Sequence, residues 1–277
     1  MSNLSDIKRR ITSVKQTRQI TGAMETVSVA KMRKAVEQAE QSRAYVNMLT
    51  DVMSAFDAVN KSVGGKSIVI VLSSDRGLCG AFDHDIFKLA DTIIGGDTVV
   101  MAVGKSACDY YGKNNNADLR FADSYTPEYG TAENIASALM KEIDCGASEI
   151  SIVYSELLSR SAYKQTVKKL IPVEKAANTS ESQKPTQIDC FEPSADEVLK
   201  VLLPMYLSGE IYGALCENVA AENCARRAAM SSATESADEI IGRLSVEYNR
   251  ERQSAVTEQI VEIIGSTEAL KKQGNLQ

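Results

Sequence analysis

GEIYGALCENVAAENCARRAAMSSATESADEIIGRLSVEYNRERQSAVTEQIVEIIG, residues 209–265, carries no proline and only Gly213 and Gly242 between its limiting glycines. Leu215, Val219, Ala225, Ala229, Ala233, Ala237, Ile240, Leu244, Tyr248, Ala255, Ile260 and Ile263 follow a rhythm of three- and four-residue steps. That is the period of one helix face, with charges on the other side. At 1.5 Å per residue the stretch predicts a helix of roughly 80 Å. No ordinary globular domain needs one so long, and so narrow a stripe has to be buried against something equally elongated.

The other end of the chain supplies it. From about Ser5 to Asn60, Leu4, Ile7, Ile11 and Val14 repeat at helical spacing, and Ile20, Ala23, Val27 and Ala30 resume the stripe in a shifted register. Ala35, Ala39, Met48, Val52, Ala55 and Val59 continue it, with only Gly22 as an interruption. Ser2 or Asn3 caps the start, Asp6 lies near the positive end of the helix dipole, and Gly64-Gly65 offers a stop. Two helices of this length, each apolar on one side, are expected to pair as a coiled coil.

Between them the texture changes to short apolar runs. Ser67–Leu72, Asp97–Val103 and Glu149–Tyr154 read as buried strands, with short strands also expected at Phe121–Tyr125 and at Tyr163–Leu170 before Pro172. Helical segments alternate with them over Phe82–Ile94, Lys105–Tyr111 and Thr131–Asp144, and Glu174–Gln187 reads as a polar loop. The alternation predicts a three-layer α/β domain with a mainly parallel sheet of Rossmann-like layering. The expected division is a helix over 1–60, the α/β domain over 66–193, and a helical segment over 194–277, in which Pro204 interrupts the part before the long helix.

Composition fits long helices better than a large core: 5% aromatic residues, no tryptophan and five prolines in 277 residues. The net charge of −6 argues against general nucleic-acid affinity. It is uneven, since residues 1–43 hold nine basic against four acidic side chains. Six cysteines without a CxxC pair and a single histidine make a structural metal site unexpected. No stretch of 18 residues is apolar throughout, and the N-terminus is polar and basic, so neither a membrane span nor a secretory signal is expected.

The chemical inventory is thin. No GxGxxG or GxxxxGK[ST] fingerprint is present. Asp75-Arg76-Gly77-Leu78-Cys79-Gly80 reads either as an anion-binding turn or, by preference, as a tight strand-to-helix turn with Arg76 at a surface or partner contact. Cys79 near His84 suggests a nucleophile and base, but a small buried thiol is the preferred reading. Glu258 and Glu262 share a helix face and read as solvated. Arg9, Arg10, Lys31, Arg33 and Lys34 form either a solvated face or a field that meets acidic loops of a partner. Tyr248, Arg252 and Gln253 form a mixed polar surface suited to partner hydrogen bonds.

Three stretches together resemble the gamma subunit of F-type ATP synthases, of bacterial type. They are Ile7-Lys8-Arg9-Arg10-Ile11 through Gln19-Ile20-Thr21-Gly22-Ala23-Met24 and Ala30-Lys31-Met32-Arg33-Lys34-Ala35; Ser74-Asp75-Arg76-Gly77-Leu78-Cys79-Gly80; and Tyr248-Asn249-Arg250-Glu251-Arg252-Gln253 through Thr257-Glu258-Gln259-Ile260-Val261-Glu262-Ile263. Their order and spacing cover nearly the whole chain. The resemblance implies a rotary central stalk whose terminal helices form an antiparallel coiled coil inside a ring of alternating alpha and beta subunits. It also implies an α/β domain towards the membrane, near the epsilon subunit and the rotor ring of c subunits. A non-catalytic chain follows, without cofactor, metal or membrane span, peripheral on the cytoplasmic side of the cell inner membrane. Carried over residue by residue, Arg252, Gln253 and Thr257 match the positions that touch the beta-subunit catch loop. Met24, Lys31, Arg33 and Lys34 match the face that passes the beta-subunit lever region, and Arg76 lies in the central motif.

The chain departs from the family pattern in places. Gly22 stands where lysine is common, and Thr257-Glu258-Gln259 reverses the more frequent order of the last two residues. Ala221-Glu222-Asn223-Cys224 is more polar than usual, and the paired-cysteine insertion of chloroplast chains is not visible. The rival readings are a non-enzymatic coiled-coil adaptor with an α/β docking module and a ligand-binding α/β enzyme centred on Asp75 to Asp85.

Overall fold

Lys66–Leu72 (β1) carries the β-branched run Ile68-Val69-Ile70-Val71, buried on both faces, and sits in the middle of a five-stranded sheet. A computed structural model of the chain describes residues 2–53, 66–96, 98–113, 117–121, 128–173 and 194–274. Around β1 the order of elements is α1 (Ser2–Met53), α2 (Phe82–Asp91), β2 (Thr98–Val103), α3 (Lys105–Lys113), β3 (Ala117–Phe121), α4 (Tyr129–Asp144), β4 (Ala147–Ser159), β5 (Ala162–Ile171) and α5 (Ala195–Gly274). The sheet order is β3-β2-β1-β4-β5. The first four strands in that order run parallel, and β5 pairs antiparallel with β4 through a tight hairpin in which Ser159 faces Ala162. The sheet is therefore mixed, with one antiparallel edge.

Alternate residues of β1 face opposite ways and define two apolar layers. Ile68, Ile70 and Leu72 pack with Ile135 and Leu139 of α4, Leu49 and Met53 of α1, and Leu203, Leu207 and Ile211 of α5. Val69 and Val71 pack with Phe82, Ile86 and Ala90 of α2, Ala107 and Tyr111 of α3, and Ala221 and Ala225 of α5. Because α5 contributes to both layers, it passes across the carboxyl ends of the strands.

The chain divides into two compact units, residues 27–229 and residues 1–26 with 230–277. In each, α1 and α5 lie side by side and antiparallel. In the smaller unit Arg18 Nε meets Asp238 at 2.5 Å, and the Thr21 and Thr234 hydroxyls lie 2.7 Å apart. In the larger unit Arg43 meets Glu217 at 3.6 Å, and Thr50 donates to Glu210 at 3.0 Å. As one residue number rises its partner's falls. The terminal helices thus form a coiled-coil-like pair beside a central mixed-sheet domain.

Several expectations need correction. The inward face of α1 runs through Ile7, Thr21, Ser28, Met32, Ala35, Ala39, Leu49 and Met53 at heptad spacing. Ile20, Val27 and Met48 are exposed instead, as are Ala23 and Ala30. The expected stripe followed hydrophobicity, whereas the actual seam admits hydroxyls that hydrogen-bond: Thr21 also donates to the Arg18 carbonyl at 3.0 Å. Pro204 lies inside a continuous α5 rather than interrupting it. Burial of Leu203, Tyr206 and Leu207 against the sheet outweighs the loss of one helical hydrogen bond.

The third strand is 117–121 rather than 121–125. Residues 122–125, the 174–187 loop, Asp97, Cys190, Ala55, Val59 and the Gly64-Gly65 stop lie outside the described residues. Finally, α5 does contain one stretch long and apolar enough to span a bilayer, at a mean hydropathy of 1.2. Half of it is buried inside the protein, as in the core helix of a soluble fold.

Candidate functional site

In open α/β sheets a ligand sits beyond the carboxyl ends of the strands, where neighbouring connections diverge. Here that place lies above β1 and β4, and the protein fills it with its own groups. The Ser74 N–H donates to Asp83 Oδ1 at 2.8 Å and its hydroxyl to Asp83 Oδ2 at 2.5 Å. The Lys105 N–H donates to Asp75 Oδ1 at 2.9 Å. From the other side the Arg226 guanidinium of α5 donates to the Arg76 carbonyl at 2.8 Å and is paired with Glu222. An anion would meet the Asp75 and Asp83 carboxylates here, which already take the Ser74 and Lys105 N–H groups and repel negative charge. The tight-turn reading stands, with Arg76 exposed on its rim.

Cys79 does not meet the requirements of a nucleophile. Its side chain is buried, 3.8 Å from both the Ser74 hydroxyl and Asp83, while His84 is exposed on α2. Burial first, and then the Asp83 charge, push the thiol pKa above its ordinary value, the reverse of what a reactive thiolate needs. Burial also raises the Glu222 carboxyl, against the opposing pull of Arg226. The cluster is built to hold a turn against a helix. Among the described residues no three His, Cys, Asp or Glu side chains gather closely enough to hold a metal ion.

The other singled-out residues are spread over two stretches of helix. Lys31, Arg33 and Lys34 are exposed on α1. Lys31 and Lys34 share a face, and Arg33 lines a groove of about 500 Å³ with Met32, Val36, Arg43 and Leu158. Met24 is half-buried. Arg9 and Arg10 are exposed, with Arg9 3.2 Å from Asp6. On α5, Arg252, Gln253 and Thr257 are all exposed, and the Thr257 hydroxyl donates to the Gln253 carbonyl one turn earlier at 2.9 Å. Glu258 and Glu262 are exposed too.

One feature of this surface escaped the sequence reading. Ile260 and Ile263 had been assigned to the paired stripe, yet both are exposed, together with Val256, Val261 and Ile264. The register set by Arg18 with Asp238 and Thr21 with Thr234 brings α1 to its first residues close to Ala255. Past that point α5 is aliphatic on more than one side. The signal was available in Ile260-Val261-Glu262-Ile263-Ile264, which is too apolar all round for a one-sided helix.

Long paired helices, a sheet domain with its ligand crevice closed, and an aliphatic helix end describe a chain that works through contacts. A family model described as ATP synthase matches residues 3–270. The ATP synthase gamma chain of Heliobacterium modesticaldum is 35% identical over 98% of this chain and 100% of its own length. The chain belongs to the ATP synthase gamma-chain family. The gamma chain of Pelotomaculum thermopropionicum is 36% identical over the same shares. Among solved structures, a chain of the Euglena gracilis mitochondrial ATP synthase superposes with a TM-score of 0.75 at 16% identity, covering 97% of this chain and 95% of that one. A chain from the central stalk and c-ring structure of the Tetrahymena thermophila enzyme gives 0.63 at 19% identity, covering 77% and 99%. At those identities the superpositions bear on fold alone. Membership of the gamma-chain family makes this a non-catalytic coupling component, a rotary stalk, and a peripheral membrane-associated protein.

Proposed function

We propose that this gamma-family chain turns as the shaft of an F-type ATP synthase, with the end of α5 seated in a ring of alternating alpha and beta subunits. The observation that carries the reading is the run of exposed Val256, Ile260, Val261, Ile263 and Ile264 on one helix. Fully burying such a side chain is worth about 1.5–3 kcal/mol, so a partner that covers the run gains substantially. Arg252, Gln253 and Thr257, exposed just before and within it, are the contacts we assign to the beta-subunit catch loop. Met24, Lys31, Arg33 and Lys34 are assigned to the beta-subunit lever region. A cationic face there steers and orients an acidic partner surface.

In this reading the shaft comprises residues 1–60 and 194–277, and the foot residues 66–193. The foot, with Arg76 on its rim, meets the epsilon subunit and the c ring on the cytoplasmic side of the inner membrane. Helices on both faces of a largely parallel sheet support reading the foot as Rossmann-like in its layering. An asymmetric shaft touches three beta subunits unequally, and unequal contact free energies bias each towards an open or closed state. Ion flow that turns the foot thereby sets the order in which catalytic sites change affinity, and the reverse rotation regulates hydrolysis.

The test is reconstitution of the alpha and beta subunits with and without this chain. Cooperative ATP turnover is expected only when it is present, and Ile260→Asp with Ile264→Asp is expected to lower assembly. Turnover and assembly indifferent to the chain would refute the proposal and favour a simple adaptor.

A further inference from the structure

A stalk that transmits torque must not let its long helix slip against the domain that turns it. Resting on that reading, we infer that Asn218 and Arg226 are positioning residues that lock α5 to the sheet. The apolar contacts of α5 at this point are Ala221 and Ala225, small side chains lying over Val69, Val71 and Val153. Apolar burial holds surfaces together but is non-directional. Resistance to sliding and turning has to come from hydrogen bonds, which are directional.

Two directional bonds meet that need, a buried one on β4 and a partly buried one at the turn after β1. The pairing of β1 with β4 ends at Val71 and Val153, so the Ser155 N–H on β4 lies beyond the end of β1. Asn218 Oδ1 accepts that N–H at 2.9 Å, and both residues are fully buried. Arg226 grips the turn that follows β1. Its Nη2 lies 2.8 Å from the Arg76 carbonyl and 3.5 Å from that of Gly77. The guanidinium is itself held by Glu222 and, at 3.4 Å, by Asn223 Oδ1. Asn223 is fixed in turn by its bond to the Val219 carbonyl at 2.8 Å.

The gripped turn has a special backbone, with Leu78 at φ 67° and Gly80 at φ 65°. Eight residues separate Asn218 from Arg226, which is about 12 Å along a helix axis. A single anchor leaves a helix free to pivot. Two at this spacing stop both pivoting and axial sliding. Other bonds from α5 reach Tyr154 on β4, through Glu217, and the sheet margin: Tyr206 to the Leu170 carbonyl, Glu210 to Lys168, and Cys224 and Arg227 to the Arg160 carbonyl at the hairpin turn.

The experiment uses the whole complex in membrane vesicles and measures ATP hydrolysis together with the number of coupling ions pumped per ATP. For Asn218→Ala with Arg226→Ala, hydrolysis is expected to stay within about twofold while pumping per ATP falls on the order of tenfold, the loss that follows from removing one buried bond and one charge-assisted bond. Arg226→Lys keeps the buried charge but offers a point charge in place of a fork, and a loss of roughly threefold is expected. A merely structural role would lower the amount of complex and leave this ratio unchanged. Parental pumping per ATP in the double variant overturns the inference. Should the double variant fail to assemble, parental pumping per ATP in Arg226→Lys overturns it equally. If vesicles with the unmodified chain fail to pump, the rotary reading falls and the anchor with it; if they pump and the variants match them, only the anchor falls.

Discussion

Replacing Gly104 with alanine is expected to be among the most damaging single changes available in the sheet domain. Gly104 follows β2 at φ 94°, where side chains are rarely accommodated. A Cβ there would lie 2.6 Å from the Ser73 carbonyl oxygen, 2.7 Å from its hydroxyl and 3.1 Å from its carbonyl carbon. Ser73 cannot retreat without loss, because its N–H donates to the Val103 carbonyl at 3.0 Å. Its hydroxyl also accepts the Ala107 N–H at 2.8 Å and donates to the Val103 carbonyl at 3.2 Å. The positive φ costs about 1–2 kcal/mol. Disturbing two or three buried hydrogen bonds adds about 1 kcal/mol each, for a total of roughly 3–5 kcal/mol. Urea unfolding of the full chain measures it as a lower midpoint at constant slope. Gly130→Ala is the control, since nothing lies within 4 Å of its added Cβ in α4, and a change within about 1 kcal/mol, towards greater stability, is expected. A Gly104→Ala chain within about 1 kcal/mol of the parent would show that the Ser73 junction is looser than its hydrogen bonds imply.

Two further outcomes are expected. Glu217 sits between Glu156, Arg43, Lys168 and Tyr154, and burial raises its carboxyl pKa above the ordinary 4.5. The folded state therefore holds this proton more tightly than the unfolded one, so stability from this group is low near neutrality and recovers as pH falls through the raised value. Glu217→Gln is expected to melt higher than the parent at neutral pH, with the gap closing towards pH 4.5; a gap that widens on acidification would contradict the burial argument. In the smaller unit, Thr21→Val or Thr234→Val alone should cost about 1 kcal/mol by removing the bond between the two hydroxyls, each of which keeps its own helix carbonyl, whereas the double change should recover it through an apolar contact. The melting of helical circular dichroism reads this cycle, and strictly additive losses would refute the pairing.

The parts of the fold legible in the sequence were those set by local chemistry. Ile68-Val69-Ile70-Val71 and Val99-Val100 announce buried strands because β-branched runs suit little else. The third strand, Ala117-Asp118-Leu119-Arg120-Phe121, has no such signature, and pairing with β2 decides it. The same holds for the far half of β4, Ser155 to Ser159, which is strand because β5 pairs with it. The closed crevice was half legible. The turn around Asp75 to Gly80 could be read, but not that Arg226, 150 residues after Arg76, would grip it, or that Asn218 would cap Ser155 on β4. Exposure of Lys31, Arg33, Lys34, Arg252, Gln253 and Thr257 was foreseeable from charge and period, while the exposed aliphatic end of α5 was not, because Ile260 and Ile263 continue the period of the paired stretch.

The composition of the helix seam bears on what this pair of helices was selected for. Thr21, Thr234 and Ser28 turn inward, while Ile20 and Val27 stay exposed. A pair selected for stability alone would exchange them, because a hydroxyl pair contributes little net energy and Arg18 with Asp238 is half-exposed and worth little. Polar groups at seam positions do something that aliphatic ones cannot: the bond between Thr21 and Thr234 forms in one register, and a slip by a heptad loses it. A coupling element needs fixed register more than it needs self-sufficient stability, since a register slip would misplace every downstream contact. On that argument the doubly substituted Thr21→Val and Thr234→Val chain keeps its melting temperature yet loses register. Disulfide trapping between cysteines placed at Val14 and Ile241 would then yield bridged species at more than one alignment.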